Sequence, residues 1–116
     1  AVRIAGHTRE WLLQWSPRAA TSGTLYRAVA RLRIEPGASP TNPAVELGVY
    51  DRGGRRSLAY RMWRANELSS PTYTNIELSP IPWTPHAFLW LAPRGDTNAA
   101  VWLWVDRFDL IPGQSQ

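Results

Sequence analysis

The 116-residue chain has no cysteine and no lysine. The first absence excludes disulfides, thiolate metal sites and cysteine nucleophiles together, while leaving secretion open. The second makes all thirteen cations arginine, against nine carboxylates, for a formal charge of +4. Compositional bias is the plain reading of that choice. Selection for an anion-binding surface is the other, because planar guanidinium forks suit phosphate. Only Arg55 and Arg56 are adjacent, so the charge forms no basic tract, and nucleic acid is not the expected partner. No apolar run approaches the roughly 18 residues of a spanning helix, so no membrane partner is expected. Ala1-Val2-Arg3 does not open like a signal peptide.

Histidine is scarce too. His7 and His86 both sit in turn-like settings, and neither belongs to a nucleophile triad or a zinc spacing. Asp106 and Asp109 fall on opposite faces of one strand and do not form a carboxylate pair across a cleft. Gly53-Gly54 reads as a hairpin turn rather than a phosphate loop. The Arg94-Gly95-Asp96 tripeptide reads as a chance turn sequence. The chain is therefore expected not to be an enzyme.

What is abundant is tryptophan, proline and glycine: seven, ten and eight residues. Short segments rich in Val, Ile, Leu, Thr, Tyr and Trp lie between the breakers, and none keeps a 3.6-residue apolar period. That pattern predicts an all-β jelly-roll sandwich of about eight antiparallel strands in two sheets. The strands are placed at 2–5, 9–15, 24–35, 44–51, 57–64, 72–79, 86–92 and 101–111. Residues 1–112 form a single module, and 113–116 read as a linker-like tail. The piece is expected to be one module of a longer protein.

Residues 24–35 alternate most clearly. Tyr26, Ala28, Ala30, Leu32 and Ile34 face a core, and Arg27, Arg31 and Arg33 form a ladder in solvent. In 57–64, Leu58, Tyr60 and Met62 are the more apolar set. The expectation is therefore that Arg61 and Trp63 point outward. In 86–92, Leu89 and Leu91 are placed inward with Phe88 and Trp90 opposite. In the last strand Asp106, Phe108 and Leu110 share one face, and Trp102 and Trp104 share their phase and are assigned to the core. A carboxylate at the rim of that face needs a partner, because an isolated buried charge is too costly. Trp83, among prolines, either lids one end of the sandwich or marks a ligand site at the loop tips.

Three phrases occur in a telling order: Leu25-Tyr26-Arg27-Ala28-Val29-Ala30-Arg31-Leu32-Arg33, Val45-Glu46-Leu47-Gly48-Val49-Tyr50-Asp51 and Trp104-Val105-Asp106-Arg107-Phe108-Asp109-Leu110. From Leu25 to Ile111 the chain resembles carbohydrate-binding modules with a galactose-binding-like jelly roll, the accessory sandwiches of bacterial polysaccharide-degrading enzymes. The resemblance implies a non-catalytic, secreted, monomeric module that holds a covalently linked catalytic domain on an oligo- or polysaccharide. It requires no cofactor for binding. It implies a structural calcium, with Asp106 at the metal position and Glu10 as the one early acidic residue. Pairing of Asp106 with an arginine is the competing reading.

The resemblance also puts strands 44–51, 57–64 and 86–92 in one concave sheet on which pyranose rings stack. An aromatic face covers the apolar C–H face of a sugar, and polar side chains satisfy its hydroxyl rim. Trp63, Tyr50 and Trp90 with Arg61 and Glu46 are the candidate binding residues. The competing reading for Trp63 and Trp90 is that they plug the core. The alternative function is a structural or protein-interaction sandwich without a sugar site.

Overall fold

The computed structural model describes residues 2–6, 13–17, 20–68, 72–94 and 98–112. His7, residues 9–12 of the second expected strand, Glu10, Trp11, the Gly95-Asp96 part of the turn and the 113–116 tail lie outside the described residues.

Among the described residues there are nine strands and one short helix: β1 Val2–Ala5, β2 Leu13–Trp15, β3 Leu25–Pro36, β4 Pro43–Asp51, β5 Arg56–Arg64, α1 Ala65–Leu68, β6 Thr74–Glu77, β7 Ile81–Pro82, β8 Ala87–Pro93 and β9 Ala100–Pro112. They form two antiparallel sheets. One runs β1-β9-β3-β6, with β7 also paired to β3; the other runs β2-β8-β4-β5. The first strand pairs with the last, and the second with the last but one. The chain crosses between sheets as it goes, which is jelly-roll order. The expected all-β sandwich is observed. It gains the two-residue β7 and the single turn α1, where the Glu67 carboxylate accepts the Arg64 N–H at 2.8 Å.

The core fills the space between the sheets. Ala28, Ala30, Leu32 and Ile34 of β3 meet Val45, Leu47 and Val49 of β4, Leu89 and Leu91 of β8, and Leu103 and Val105 of β9. Trp83 closes one end. Its ring stands edge-on to Tyr26 at 6.1 Å, its backbone N–H donates to the Thr24 carbonyl, and its carbonyl accepts the Gly23 N–H.

Strand register decides which side chains face water, and two bulges interrupt it. Between Arg31 and Leu32 the register of β3 on β9 shifts, with Arg31 opposite Arg107 and Leu32 opposite Val105. Asp106 is the extra residue. An extra residue reverses the alternation of faces, so Leu103 and Val105 before it and Phe108 and Leu110 after it all point inward. This corrects two expectations. Asp106 does not share the Phe108 face, and Trp102 and Trp104 stand on the outer side, opposite Glu35 and Arg33.

The second bulge lies between Val49 and Tyr50 against β5. Val45 pairs with Trp63, Leu47 with Arg61 and Val49 with Ala59. Directly opposed residues share a face. Trp63 therefore points between the sheets and is only 5% exposed. Its outward placement is corrected; Tyr60 takes the outer side. The β4–β5 hairpin forms as expected, but its left-handed residue is Arg55, φ 53°, rather than a glycine. Asp51 accepts the Gly53 N–H at 3.0 Å and tightens that turn.

Candidate functional site

The expectation that β4, β5 and β8 share a sheet is met, and β2 joins them. On the outer face of that sheet Tyr50, Phe88, Trp90 and Ala92 form a second apolar cluster, separate from the core. Sequence order explains it: β8 is apolar on both sides, so the residues between its core-facing leucines must be covered too. Trp90 can lie flat because β4 carries a glycine directly opposite. A Cβ on Gly48 would come within 2.4 Å of the indole. A glycine in a central strand often marks such a close approach.

Trp90 is 4% exposed, whereas Tyr60 is 51% exposed. The phenol sits 6.1 Å from the indole, tilted by 32°. Its hydroxyl donates to the Glu46 carboxylate, and Arg94 lies 3.7 Å from the same carboxylate oxygen. The phenol pKa is raised above its ordinary value of 10.0, first by partial burial and then by the hydrogen bond and charge of Glu46; Arg94 opposes the shift. Further along, Tyr50 meets Phe88 edge-on at 5.9 Å. The Arg52 guanidinium lies 4.3 Å over Phe88 and donates to Gln14 at 3.2 Å. The result is a strip of rings with a polar pair at each end: Glu46 with Arg94, and Arg52 with Gln14.

Of the five candidate binding residues, Tyr50, Trp90 and Glu46 meet on this strip. Trp63 is in the core. Arg61 lies at the open edge of β5, its guanidinium 4.8 Å over the Trp63 ring, facing the gap between the sheets. Sequence reasoning did not select Tyr60, Phe88, Arg52 or Arg94. Gly48 was the available signal, since a glycine amid Val and Leu points to a ring laid across it.

The strip ends near a polar pocket of about 270 Å³ at the Trp83 end, lined by Arg52, Thr84, His86, Ser16 and Pro17 among others. Trp83 itself is buried and serves as the lid of the sandwich.

Asp106 lies 3.3 Å from Arg31, with both side chains more than a third exposed. Among the described residues no three acidic or histidine side chains converge on a point. A calcium ion needs about six to eight oxygens; Asp106 is paired with Arg31, and Glu10, the other residue of the calcium expectation, lies outside the described residues.

No family model matches this chain, and no curated protein does. Its fold is similar to part of a solved arabinose-bound α-L-arabinofuranosidase, MgGH51. The TM-score is 0.51 at 19% identity, over 90% of this chain and 18% of that one. This is a likeness of fold, and the chain spans less than a fifth of that enzyme's length.

Proposed function

We propose that the chain is a non-catalytic carbohydrate-binding module whose site is the outer face of β2-β8-β4-β5. The observation that carries the reading is the exposed Tyr60 ring, backed by Trp90 and flanked by Glu46 and Arg94. A sugar laid on the phenol meets an aromatic face for its C–H bonds. Its hydroxyls meet one carboxylate acceptor and one guanidinium donor beside it. Binding of this kind requires no cofactor. The module acts outside the cell as a monomer and holds a linked catalytic domain on its polysaccharide. The fold likeness to part of an α-L-arabinofuranosidase supports a carbohydrate setting and makes arabinose-containing polymers the first ligands to try.

A second reading, a scaffold without a sugar site, draws on the burial of Trp63, Trp83 and Trp90, which leaves Tyr60 as the most open ring of the strip. Affinity gels containing neutral plant and microbial polysaccharides separate the two. The binding reading expects retardation that Tyr60→Ala weakens about tenfold in affinity while moving the melting temperature little. Absence of retardation across the panel leaves the scaffold.

A further inference from the structure

The opposite surface, the outer face of the five-stranded sheet, is built differently. Arg31 and Arg33 of β3 point outward beside Trp102 and Trp104 of β9 and Arg3 of β1. Arg3 and Arg33 both stand opposite Trp104, one on each flanking strand. The Arg3 guanidinium lies 4.1 Å over the Trp102 ring, and that of Arg33 lies 3.9 Å over Trp104. Tyr73 adds a third ring, 5.6 Å from Arg31 and 5.9 Å from Arg33. Each indole holds its guanidinium by the attraction of a cation to a ring face. The side chain is thereby ordered in advance, with the N–H edge of the fork left for a ligand.

Three neighbouring cations are matched: Arg27 by Glu77 at 3.0 Å, Arg31 by Asp106 at 3.3 Å and Arg107 by Asp109 at 3.0 Å. Among the described residues Arg3 and Arg33 have no carboxylate partner. Their backbones are two strand spacings apart, about 10 Å.

We propose that this face binds a carboxylate-bearing polysaccharide, a polyuronate, with Arg3 and Arg33 each gripping one carboxylate. A guanidinium fork matches a carboxylate through two parallel N–H···O bonds. A chain crossing the strands meets both forks in turn. Nucleic acid suits the face less well. A single strand carries a charge about every 3.4 Å along the helix axis, and two forks about 10 Å apart leave most of that charge unmatched. Bases need open rings to stack on, and these indoles are already covered by guanidinium. This site is independent of the Tyr60 strip on the other sheet.

The test is affinity electrophoresis of the intact chain in gels containing polygalacturonate, dextran sulfate, a neutral polysaccharide or single-stranded DNA. The expected result is retardation by polygalacturonate that weakens as salt rises. The double variant Arg3→Gln/Arg33→Gln loses about tenfold or more in affinity, the scale of one charge-assisted contact. Tyr60→Ala keeps full affinity for polygalacturonate, so failure of the neutral-sugar site and failure of this one read out separately. Thermal melts verify that the variants fold, and Arg33→Gln alone serves if the double variant does not. The proposal is overturned by absence of retardation, by equal retardation of wild type and variant, or by stronger binding to dextran sulfate or DNA than to polygalacturonate.

Discussion

The two outward faces of this sandwich use similar parts to opposite effect. On the four-stranded sheet the indole of Trp90 sinks onto Gly48, and a neutral phenol, Tyr60, is left on top. On the five-stranded sheet the indoles of Trp102 and Trp104 stay half-exposed and are roofed by Arg3 and Arg33. The difference lies in the cross-strand partner. A glycine opposite a ring lets it lie down and disappear. An arginine opposite or diagonal to a ring turns it into a seat for charge. Register, more than the number of aromatic residues, therefore sets whether a face presents rings or cations.

That contrast can be broken in several places. The largest effect is expected inside the sandwich. Trp63→Ala should cost about 3–5 kcal/mol, the usual penalty for emptying a buried aromatic site. Trp104→Ala should cost only ~1 kcal/mol through its lost arginine contact. Urea denaturation of both variants checks this, and equal costs would refute the assignment of one ring to the core and the other to the surface. Next is Gly48→Ala. Its methyl group collides with the Trp90 indole, so a loss of about 1–3 kcal/mol is expected, as for overpacking, together with a change in tryptophan emission. An unchanged spectrum would mean the indole does not lie on that glycine.

Tyr60→Ala should lower neutral-saccharide affinity about tenfold, as loss of a stacking partner does, while moving the melting temperature little. A Tyr60→Ala module that binds as before would move the sugar off this face. The smallest stability effect belongs to Asp106→Asn, about 0–1 kcal/mol for an exposed ion pair, with no change in melting on adding a chelator. A chelator-dependent loss of stability would reinstate a metal at that carboxylate.

The Tyr60 phenol offers a pH test of the same strip. Its folded pKa is raised above 10.0, so the folded state favours the neutral phenol. The stabilisation is fully present below the unfolded value and is lost as pH rises through the folded one. Ultraviolet titration should show this tyrosine ionising late. Glu46→Gln should bring it back toward the ordinary value, because it removes the charge and weakens the hydrogen bond.

Strand positions were legible because proline and glycine punctuate the chain so densely. The inner face of β3 was legible because Ala28, Ala30, Leu32 and Ile34 alternate with arginine without interruption. The bulges were not legible. Nothing at Asp106 or at Leu58, the unpaired residue between Ser57 and Ala59 of β5, announces an extra residue, since neither position holds a glycine or proline. Period-two reading carried across the first returned the wrong side for Trp102 and Trp104. On β5 the misreading of Arg61 and Trp63 came from chemistry. Leu58, Tyr60 and Met62 outweigh Ala59, Arg61 and Trp63 in hydrophobicity, yet pairing with Val45, Leu47 and Val49 sends the second set inward. An edge strand tolerates this, because Arg61 can reach water past the rim. The polar ends of the strip were hidden for another reason: Arg52, a hairpin-loop residue, and Arg94, just beyond the end of β8, join it only once the sheet is assembled.

The irregularity at Asp106 has an evolutionary corollary. Loss of that one codon would carry two indoles from the wet side of the sandwich to its dry interior, where Leu103 and Val105 now sit, and would send those aliphatic chains out in exchange. A single-residue length change there is thus a far harsher event than any point substitution along β9. Lineages of this module should vary freely in the side chain at that position while preserving the spacing around it.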